Sequence, residues 1–314
     1  MKKPSVIALV LFLHLGLFAQ QEPQFNLYMF NKTLINPAAA GAEPSANFIG
    51  FGRNQWIGYK NDDGMAVNPR TYGLAFDMPV YRIKSGAGIT FQYNKTGAES
   101  NTEIKLNYAY HYAINKKHKI NIGLALDFLG KSIDYSKVFP SEEDPMLPDT
   151  KESGFMTDID FGIHYQAFNK FYLGGSVSNL LGSSAEIGAP EFDQSRHFYL
   201  YSGYDYDFNY GGHDLVLTPG ILVKATAGAL NADLNAILTC DDLFWGGIVY
   251  RVANAAGIMA GINYHGLKAG ISYDCTMSKD FAKKSRNSVE FVISYSYAVY
   301  PPIIRKSGYN TRNM

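Results

Sequence analysis

Apolar and polar side chains alternate along most of this chain. In one representative segment Ile120, Ile122 and Leu124 fall at every second position, with Asn121 and Asp127 on the opposite parity. Successive side chains of a β-strand point to opposite faces, so a period of two predicts half-buried strands rather than helices. The pattern therefore predicts a protein built from β-strands.

About fourteen segments have this alternation. They lie near residues 46–59, 70–79, 85–94, 102–114, 119–129, 154–167, 171–178, 196–208, 213–225, 229–240, 243–252, 255–264, 266–275 and 287–300. Most are about 9 to 12 residues long, the length that a tilted strand needs to cross a bilayer. An even number of antiparallel strands can close with no free edge. The predicted fold class is all-β, a transmembrane antiparallel β-barrel of about 14 strands.

The polar face of the segments carries acids, amides and histidines at nearly every strand. Such a face does not suit the dry core of a β-sandwich, because buried polar groups need hydrogen-bond partners. It suits a wet or hydrogen-bonded lumen, with the apolar face towards lipid. The pattern therefore predicts which face of each strand points into the lumen and which points towards lipid.

The connections between the segments alternate in length. Tight turns are predicted at Asn169-Lys170, Asp241-Asp242 and His265-Gly266, and long loops at 130–153, 179–195 and 276–286. Bacterial outer-membrane barrels have short periplasmic turns and longer extracellular loops. We therefore expect the tight turns and the N-terminus on the periplasmic side.

Residues 1–19 have the layout of a secretory signal peptide. Lys2 and Lys3 precede an apolar run over residues 6–18, and Ala19 offers a cleavage point before Gln20. The run is too short for a membrane-spanning helix, which needs roughly 20 residues. We expect an exported protein of the cell outer membrane. Its predicted divisions are a signal peptide (1–19), an N-terminal lead-in segment (20–45), the barrel (46–300) and a C-terminal tail (301–314).

The composition agrees with a membrane barrel. The 314 residues include 23 Tyr, 20 Phe and 30 Gly, and only 18% are charged. Aromatic side chains form the girdles at the two membrane interfaces of such barrels. The formal net charge is zero, which leaves no basic stripe to neutralise phosphates and argues against a nucleic-acid partner.

No motif for catalysis, cofactor binding or metal binding stands out. No histidine lies in a Gly-x-Ser-x-Gly setting, and we expect His111 and His164 to bond to lumen aspartates. The spacing of Cys and His fits no metal site. Cys240 and Cys275 are predicted at opposite rims, too far apart for a disulfide. We expect no catalytic residue, no cofactor, no metal and two free thiols.

Residues 20–58 carry motifs that resemble a known family. An amphipathic lead-in containing Tyr28-Met29-Phe30-Asn31 runs into Asn36-Pro37-Ala38-Ala39-Ala40-Gly41 and then Arg53-Asn54-Gln55-Trp56-Ile57-Gly58. This order resembles the PorP/SprF family, outer-membrane proteins of the Bacteroidetes type IX secretion system. Further motifs that resemble the family's, in the same order, follow along the chain: His197-Phe198-Tyr199, Thr218-Pro219, Ala232-Asp233-Leu234-Asn235, Trp245-Gly246-Gly247 and Gly270-Ile271-Ser272-Tyr273-Asp274.

The resemblance implies a noncatalytic component of the secretion system. It would help to export a secreted, gliding-associated or adhesin-like protein with a type B C-terminal domain and to hold it at the surface. Its partners would be that protein, the type IX machinery, periplasmic proteins and outer-membrane lipid. The motif residues and apolar loop residues are the candidate partner contacts: Tyr28, Asn36, Pro37, Gly41, Arg53, Gln55, Trp56, Gly58, Phe139, Leu181 and Phe192.

Several alternatives stay open. The apolar loop residues either form a docking surface or pack over the barrel mouth. The lead-in is either a plug, with Phe25, Tyr28 and Met29 closing the lumen, or a periplasmic contact for the machinery. The tail is either a disordered terminus or a contact arm. A fatty-acid-transporter-like or porin-like channel is the competing function, and an outer-membrane phospholipase is a more distant one.

Overall fold

The computed structural model describes residues 23–60, 64, 66–137, 150–188, 191–226, 229–277 and 287–300. The predicted signal peptide, Phe139 and the predicted tail lie outside the described residues. Within these ranges no helix is long and apolar enough to cross a membrane.

The strands are numbered in chain order. Their bounds are β1 (Ser45–Asn54), β2 (Arg70–Val80), β3 (Ser85–Thr96), β4 (Glu99–Ala113), β5 (His118–Asp134), β6 (Lys151–Ala167), β7 (Phe171–Ser178), β8 (Ser184–Glu186), β9 (Glu191–Asp193), β10 (His197–Tyr204), β11 (Tyr206–Tyr210), β12 (His213–Thr226), β13 (Ala229–Cys240), β14 (Phe244–Arg251), β15 (Ala255–Tyr264), β16 (Leu267–Thr276) and β17 (Ser288–Ala298).

All strands except β8 and β9 form one antiparallel sheet that closes on itself. The first strand, β1, pairs with the last, β17, and β10 pairs with β12. Strands β10 and β11 occupy one position in the wall, because Gly203 faces Gly220 and Tyr206 faces Leu217 in an unbroken register. On β12, Pro219 lies between Gly220 and Leu217 and has no N–H to donate. The hydrogen-bond ladder between β12 and its neighbour is interrupted there, which divides that neighbour into β10 and β11. The result is the predicted 14-stranded β-barrel.

The predicted faces of the strands are confirmed. On β5, Ile122, Leu124 and Leu126 point outward and are 47, 52 and 47% exposed. On the same strand Asn121 and Asp127 point into the lumen and are 2 and 1% exposed. The wall therefore presents apolar side chains to the membrane and polar ones to the interior, as a transmembrane barrel requires.

Some predicted limits are wrong. Strand β1 ends at Asn54 rather than near residue 59, because Trp56 and Gly58 have left-handed backbones, with φ of 52° and 79°. Strands β3 and β4 run on to a two-residue turn at Gly97 and Ala98, where a longer connection was expected. The predicted 179–195 loop contains its own hairpin, β8–β9.

The two ends of the barrel differ in their connections. We call the end with the turns at residues 168–170, 241–243 and 265–266 the tight-turn end, and the opposite end the loop end. Pro23, the first described residue, lies at the loop end beside Asn94 and Phe192. Pro44, just before β1, is at the tight-turn end, where its carbonyl accepts a hydrogen bond from the Val299 N–H (3.0 Å). We expected the N-terminus on the same side as the tight turns, but the first described residue lies at the opposite, loop end.

Residues 23–44, here called the plug, cross the lumen from the loop end to the tight-turn end. They form three short 3-10 turns, Tyr28–Phe30, Lys32–Leu34 and Pro37–Ala39. Leu27, Tyr28 and Ile35 are 3, 2 and 8% exposed and pack on lumen-facing side chains of the wall. Of the two interpretations of the lead-in, the structure has the plug.

Glycines in the wall make room for the plug. A Cβ atom on Gly123 of β5 would lie 2.2 Å from the Ala38 nitrogen, and one on Gly162 of β6 would lie 2.0 Å from Asn36 Oδ1. On β3, a Cβ on Gly86 would lie 1.9 Å from the Ala40 carbonyl oxygen. No side chain fits at these positions while the plug is in place.

We predict that Gly123→Ala destabilises the folded barrel by about 1 to 3 kcal/mol, the usual cost of overpacking a core. The measurement is urea unfolding in vesicles, followed by the loss of the compact, heat-modifiable gel band. Gly130→Ala is the control, because it changes the same strand where the nearest atom to the new Cβ, the Thr102 carbonyl oxygen, is 3.8 Å away. Equal effects of the two substitutions would contradict the close fit of the plug.

Candidate functional site

The start of the plug is bound by a buried ion cluster where β1, β16 and β17 meet. Arg53 Nη1 lies 2.8 Å from Glu290 Oε2, and Arg53 Nη2 lies 3.0 Å from Asp274 Oδ2. The Glu290 carboxylate also accepts hydrogen bonds from the backbone N–H groups of Asn26 (2.7 Å) and Leu27 (2.8 Å). Asn26 Nδ2 donates to Asp274 Oδ1 at 2.8 Å. The candidate residue Arg53 therefore organises the two carboxylates that hold the plug.

A second buried cluster holds the other side of the same plug segment. Asp233 accepts from Arg251 Nε (2.9 Å) and from Lys224 Nζ (2.8 Å). Arg251 Nη2 donates to Asn26 Oδ1 at 3.2 Å, and Lys224 Nζ donates to Gln24 Oε1 at 3.3 Å. Charged groups this deep are stable only when paired and hydrogen-bonded. The plug supplies several of the bonds that make this burial acceptable.

Tyr28 lies deeper in the lumen than either ion cluster. Its hydroxyl accepts a hydrogen bond from Asn235 Nδ2 at 2.8 Å, and the side chain is 2% exposed. This candidate residue is therefore a packing and hydrogen-bonding contact between plug and wall. It is not available to an external partner in this arrangement.

The Asn36-Pro37 motif forms the turn that lies on the glycines. Asn36 Oδ1 accepts from the Ala38 N–H at 2.9 Å, while its Nδ2 donates to the Ile163 carbonyl at 2.9 Å and the Tyr201 hydroxyl at 3.2 Å. Pro37 occupies the first position of the 3-10 turn, where a missing N–H costs nothing. The motif therefore shapes the plug and attaches it to β6 and β10.

Gly41 ends this turn. Its φ is +60°, and its N–H donates to Asp77 Oδ2 at 2.9 Å. A Cβ there would lie 2.5 Å from the Met78 carbonyl oxygen, so both the left-handed backbone and the space require glycine. This candidate residue also has a structural role.

The two lumen histidines bond differently from the prediction. His111 Nε2 lies 3.0 Å from the Ala40 carbonyl oxygen, and His164 Nδ1 lies 3.0 Å from the Tyr201 hydroxyl. The expected aspartate partners are therefore wrong. Asp160 instead accepts from Lys105 Nζ at 3.0 Å, a lumen salt bridge.

The remaining candidate residues lie at the loop end and fall into two groups. Gln55, Trp56 and Gly58 form the turn after β1, where the Gln55 N–H donates to the Pro69 carbonyl (2.9 Å) and the Trp56 N–H to Ser288 Oγ (3.3 Å). Leu181 is 58% exposed, and its N–H donates to Asp158 Oδ1 at 2.8 Å.

Phe192 contributes to the mouth rather than to the outer surface. It is half-buried, and Lys131 Nζ lies 4.8 Å from the centre of its ring. It lines a loop-end cavity of about 260 Å³ together with Pro23, Gln92 and Asn101. The apolar loop residues therefore divide between the two interpretations, with Leu181 exposed and Phe192 turned inward.

Cavities lie on both sides of the plug. The loop-end cavity is described above, and at the tight-turn end one of about 500 Å³ is lined by Phe30, Lys32, Tyr172 and Trp245 and another of about 350 Å³ lies beside Asn31 and Asp77. Between them lie the buried plug residues Leu27, Tyr28 and Ile35. The plug therefore occupies the middle of the described lumen, with cavities left at both ends.

Both cysteines are free thiols at opposite ends of the barrel. Within the described ranges, one trio could offer three metal ligands: His213, Cys240 and Asp241, at the tight-turn end. His213 Nδ1 already lies 2.6 Å from Asp241 Oδ2, and this hydrogen bond lowers the pKa of the Asp241 carboxyl. That surface pair accounts for the trio, and we assign no metal to it.

Asn26, Asp233, Arg251, Asp274 and Glu290 were not among the predicted site residues. A signal was present in the sequence, because each of the four charged residues sits on the polar parity of a predicted strand close to its loop end. Nothing in the sequence indicated that they would meet the plug.

The fold and the filled lumen define a class, the outer-membrane β-barrels with an internal plug. The family model "Type IX secretion system membrane protein PorP/SprF" matches residues 17–295. The chain belongs to the PorP/SprF family, and it is a type IX secretion component of the outer membrane.

Several solved structures with a similar fold are outer-membrane barrels of low sequence identity. CdiB from Acinetobacter baumannii has 9% identity and a TM-score of 0.47, over 81% of this chain and 60% of that one. A Pseudomonas aeruginosa FadL homologue has 10% identity and a TM-score of 0.48, over 84% and 93% of the two chains. The CymD monoaromatic hydrocarbon channel has 9% identity and a TM-score of 0.49, over 87% and 94%. A search of curated proteins finds no match.

We predict that Arg53→Ala destabilises the barrel by about 3 to 5 kcal/mol, because it leaves Glu290 and Asp274 buried without their cation. The free energy of unfolding in vesicles tests this. Arg70→Ala is the control, since Arg70 also lies near the loop end but its side chain is exposed. Comparable stability of the Arg53 and Arg70 variants would contradict the role of the ion cluster.

Proposed function

We propose that this protein is a noncatalytic scaffold that helps to export or surface-anchor a secreted protein with a type B C-terminal domain. Membership of the PorP/SprF family supports a place in the secretion system. The observation that carries the proposal is the filled lumen. Because the interior of this barrel is occupied by its own chain, we infer that the protein acts through its outer surfaces rather than as an open conduit.

The loop end is the proposed docking surface for the secreted protein. Leu180 and Leu181 are 42 and 58% exposed there, while neighbouring Ile187 is fully buried. The loop is fixed from below, because Asp158 accepts hydrogen bonds from the N–H groups of Leu181 (2.8 Å) and Ser183 (2.9 Å). Exposed apolar side chains on a fixed backbone are typical of protein contacts.

The tight-turn end is the proposed side of the machinery, facing the periplasm. Strand β11 and the start of β12 form a hairpin at the tight-turn end. This hairpin extends beyond the neighbouring strand β7, which begins at Phe171 opposite Tyr204. Its Tyr206 and Tyr210 are 57 and 76% exposed, and Asp207 lies between them in sequence. Aromatic side chains of this kind are enriched at protein interfaces.

The competing channel interpretation requires a path past the plug. Two buried ion clusters, Tyr28 and the Asn36 turn attach the plug to β6, β10, β12, β13, β14, β16 and β17. Opening the lumen would break these hydrogen bonds together and take from both buried ion clusters the plug groups that complete their hydrogen bonding. We therefore favour a closed barrel over a porin-like or fatty-acid-transporter-like channel.

We predict that the purified protein gives no steady ionic current in planar bilayers, because the plug fills the lumen. An open porin inserted in the same bilayer is the positive control. A stable conductance proportional to voltage would contradict the scaffold proposal and favour the channel.

The client proposal is tested by affinity purification from detergent-solubilised outer membranes, with copurifying proteins identified by mass spectrometry. We predict recovery of a large surface protein with the wild type and its loss with Leu181→Glu, which places a charge in the proposed contact. Met277→Glu is the matched control, because Met277 is 56% exposed at the loop end on the opposite side of the barrel. Absence of any surface protein, or equal loss in both variants, would contradict the docking surface.

A further inference from the structure

Three adjacent turns at the tight-turn end carry cations and no acids. Arg82 and Lys84 lie between β2 and β3, Lys116 and Lys117 between β4 and β5, and Lys170 between β6 and β7. Because β2 to β7 are consecutive in the wall, these turns follow one another along the rim. We call this arc the basic sector.

The cations of the basic sector are largely unpaired. Arg82, Lys84, Lys116 and Lys117 are exposed and form no ion pair with the described residues. Lys170 differs, because its Nζ lies 2.6 Å from Asp207 Oδ2. Four positive charges are therefore left for an external anion.

Apolar side chains lie on the outer wall directly beside these cations. Tyr110, Tyr112 and Ile114 are 42, 56 and 53% exposed along β4 and its turn, and Ile83 is 56% exposed in the neighbouring turn. They belong to the outward, membrane-facing parity. Cations that border such a surface lie at the depth of lipid headgroups.

The β4–β5 and β6–β7 turns are joined by a small aromatic cluster. His118 Nδ1 lies 2.6 Å from the Tyr165 hydroxyl, and the His118 and Phe168 rings meet edge to face with centroids 4.8 Å apart. Lys117 Nζ lies 5.5 Å from the centre of the Phe168 ring. These contacts place the Lys117 side chain beside the outer wall, where its ammonium group remains exposed.

The next arc of the same rim has the reverse charge. The β11–β12 hairpin and the β13–β14 turn carry five acids, Asp205, Asp207, Asp214, Asp241 and Asp242, and no Lys or Arg. The tight-turn end is therefore divided by charge, although the whole chain is neutral. A partner that recognises charge would bind one arc and avoid the other.

We propose that the basic sector binds an anionic phospholipid. The headgroup phosphate contacts Arg82, Lys116 and Lys117, and the acyl chains lie along Tyr110 and Tyr112. Lipid fits better than an acidic protein, because the cations border the membrane-facing surface and a lipid satisfies both surfaces at once. The proposal does not depend on the scaffold function.

The test uses the full-length protein in nanodiscs of equal parts phosphatidylglycerol and phosphatidylcholine. After mild detergent extraction, the retained lipids are counted by native mass spectrometry. We expect the wild type to retain the anionic lipid preferentially. Each charge near the membrane contributes about five-fold in affinity, so loss of three charges in Arg82→Gln/Lys116→Gln/Lys117→Gln should reduce the preference by about a hundred-fold.

The matched control removes three exposed cations at the loop end, Lys60→Gln/Lys95→Gln/Lys151→Gln, and should keep the preference. The heat-modifiable gel band confirms that both variants are folded. Equal retention of the two lipids by the wild type would overturn the proposal, and so would an equal loss in the control. Binding of an acidic periplasmic protein to the basic sector without lipid preference would also overturn it.

Discussion

Barrel closure and plug binding depend on the same buried carboxylate, that of Glu290. Glu290 on the last strand accepts from Arg53 on the first strand and from the backbone of Asn26 and Leu27 in the plug. One buried group therefore joins barrel closure to plug binding. Removing a partner would leave a charge in a low-dielectric interior, which is far more costly than losing a surface ion pair. We infer that the barrel and the plug are stable as a unit rather than as separate parts.

The plug also explains residues that look unrelated in the sequence. Glycine is required at these positions of β3, β5 and β6, because the plug around the Asn36 turn occupies the space that a side chain would need. Motif residues such as Asn36, Gly41 and Arg53 are used inside the barrel, whereas Leu181 is exposed at the loop end. These motif residues thus shape the plugged barrel, and we propose that partners are selected by its loops and rims.

Much of the fold follows from the sequence, because the alternation of Ile120 to Asp127 and similar segments fixes which face of each strand meets lipid. The alternation cannot locate the ends of strands, so the left-handed backbone at Trp56 was missed. Nor could it show the path of the plug. Asn26 reaches Asp274 and Arg251 only because the chain crosses the whole lumen before β1 begins, a contact over more than 200 residues of sequence. Local sequence patterns therefore could not predict that Arg53 pairs with Glu290 and Asp274.

The path of the plug is tested most directly by thiol cross-linking in outer membranes. Asn26 Nδ2 lies 3.0 Å from Ser272 Oγ, so Asn26→Cys and Ser272→Cys in a background of Cys240→Ser and Cys275→Ser place two thiols within reach of a short bifunctional thiol reagent. Ile271→Cys in place of the Ser272 substitution is the control, because Ile271 faces outward. The account predicts efficient cross-linking of the first pair and none of the second. Failure of the first pair to cross-link, with both thiols open to water-soluble reagents, would contradict a plug inside the barrel.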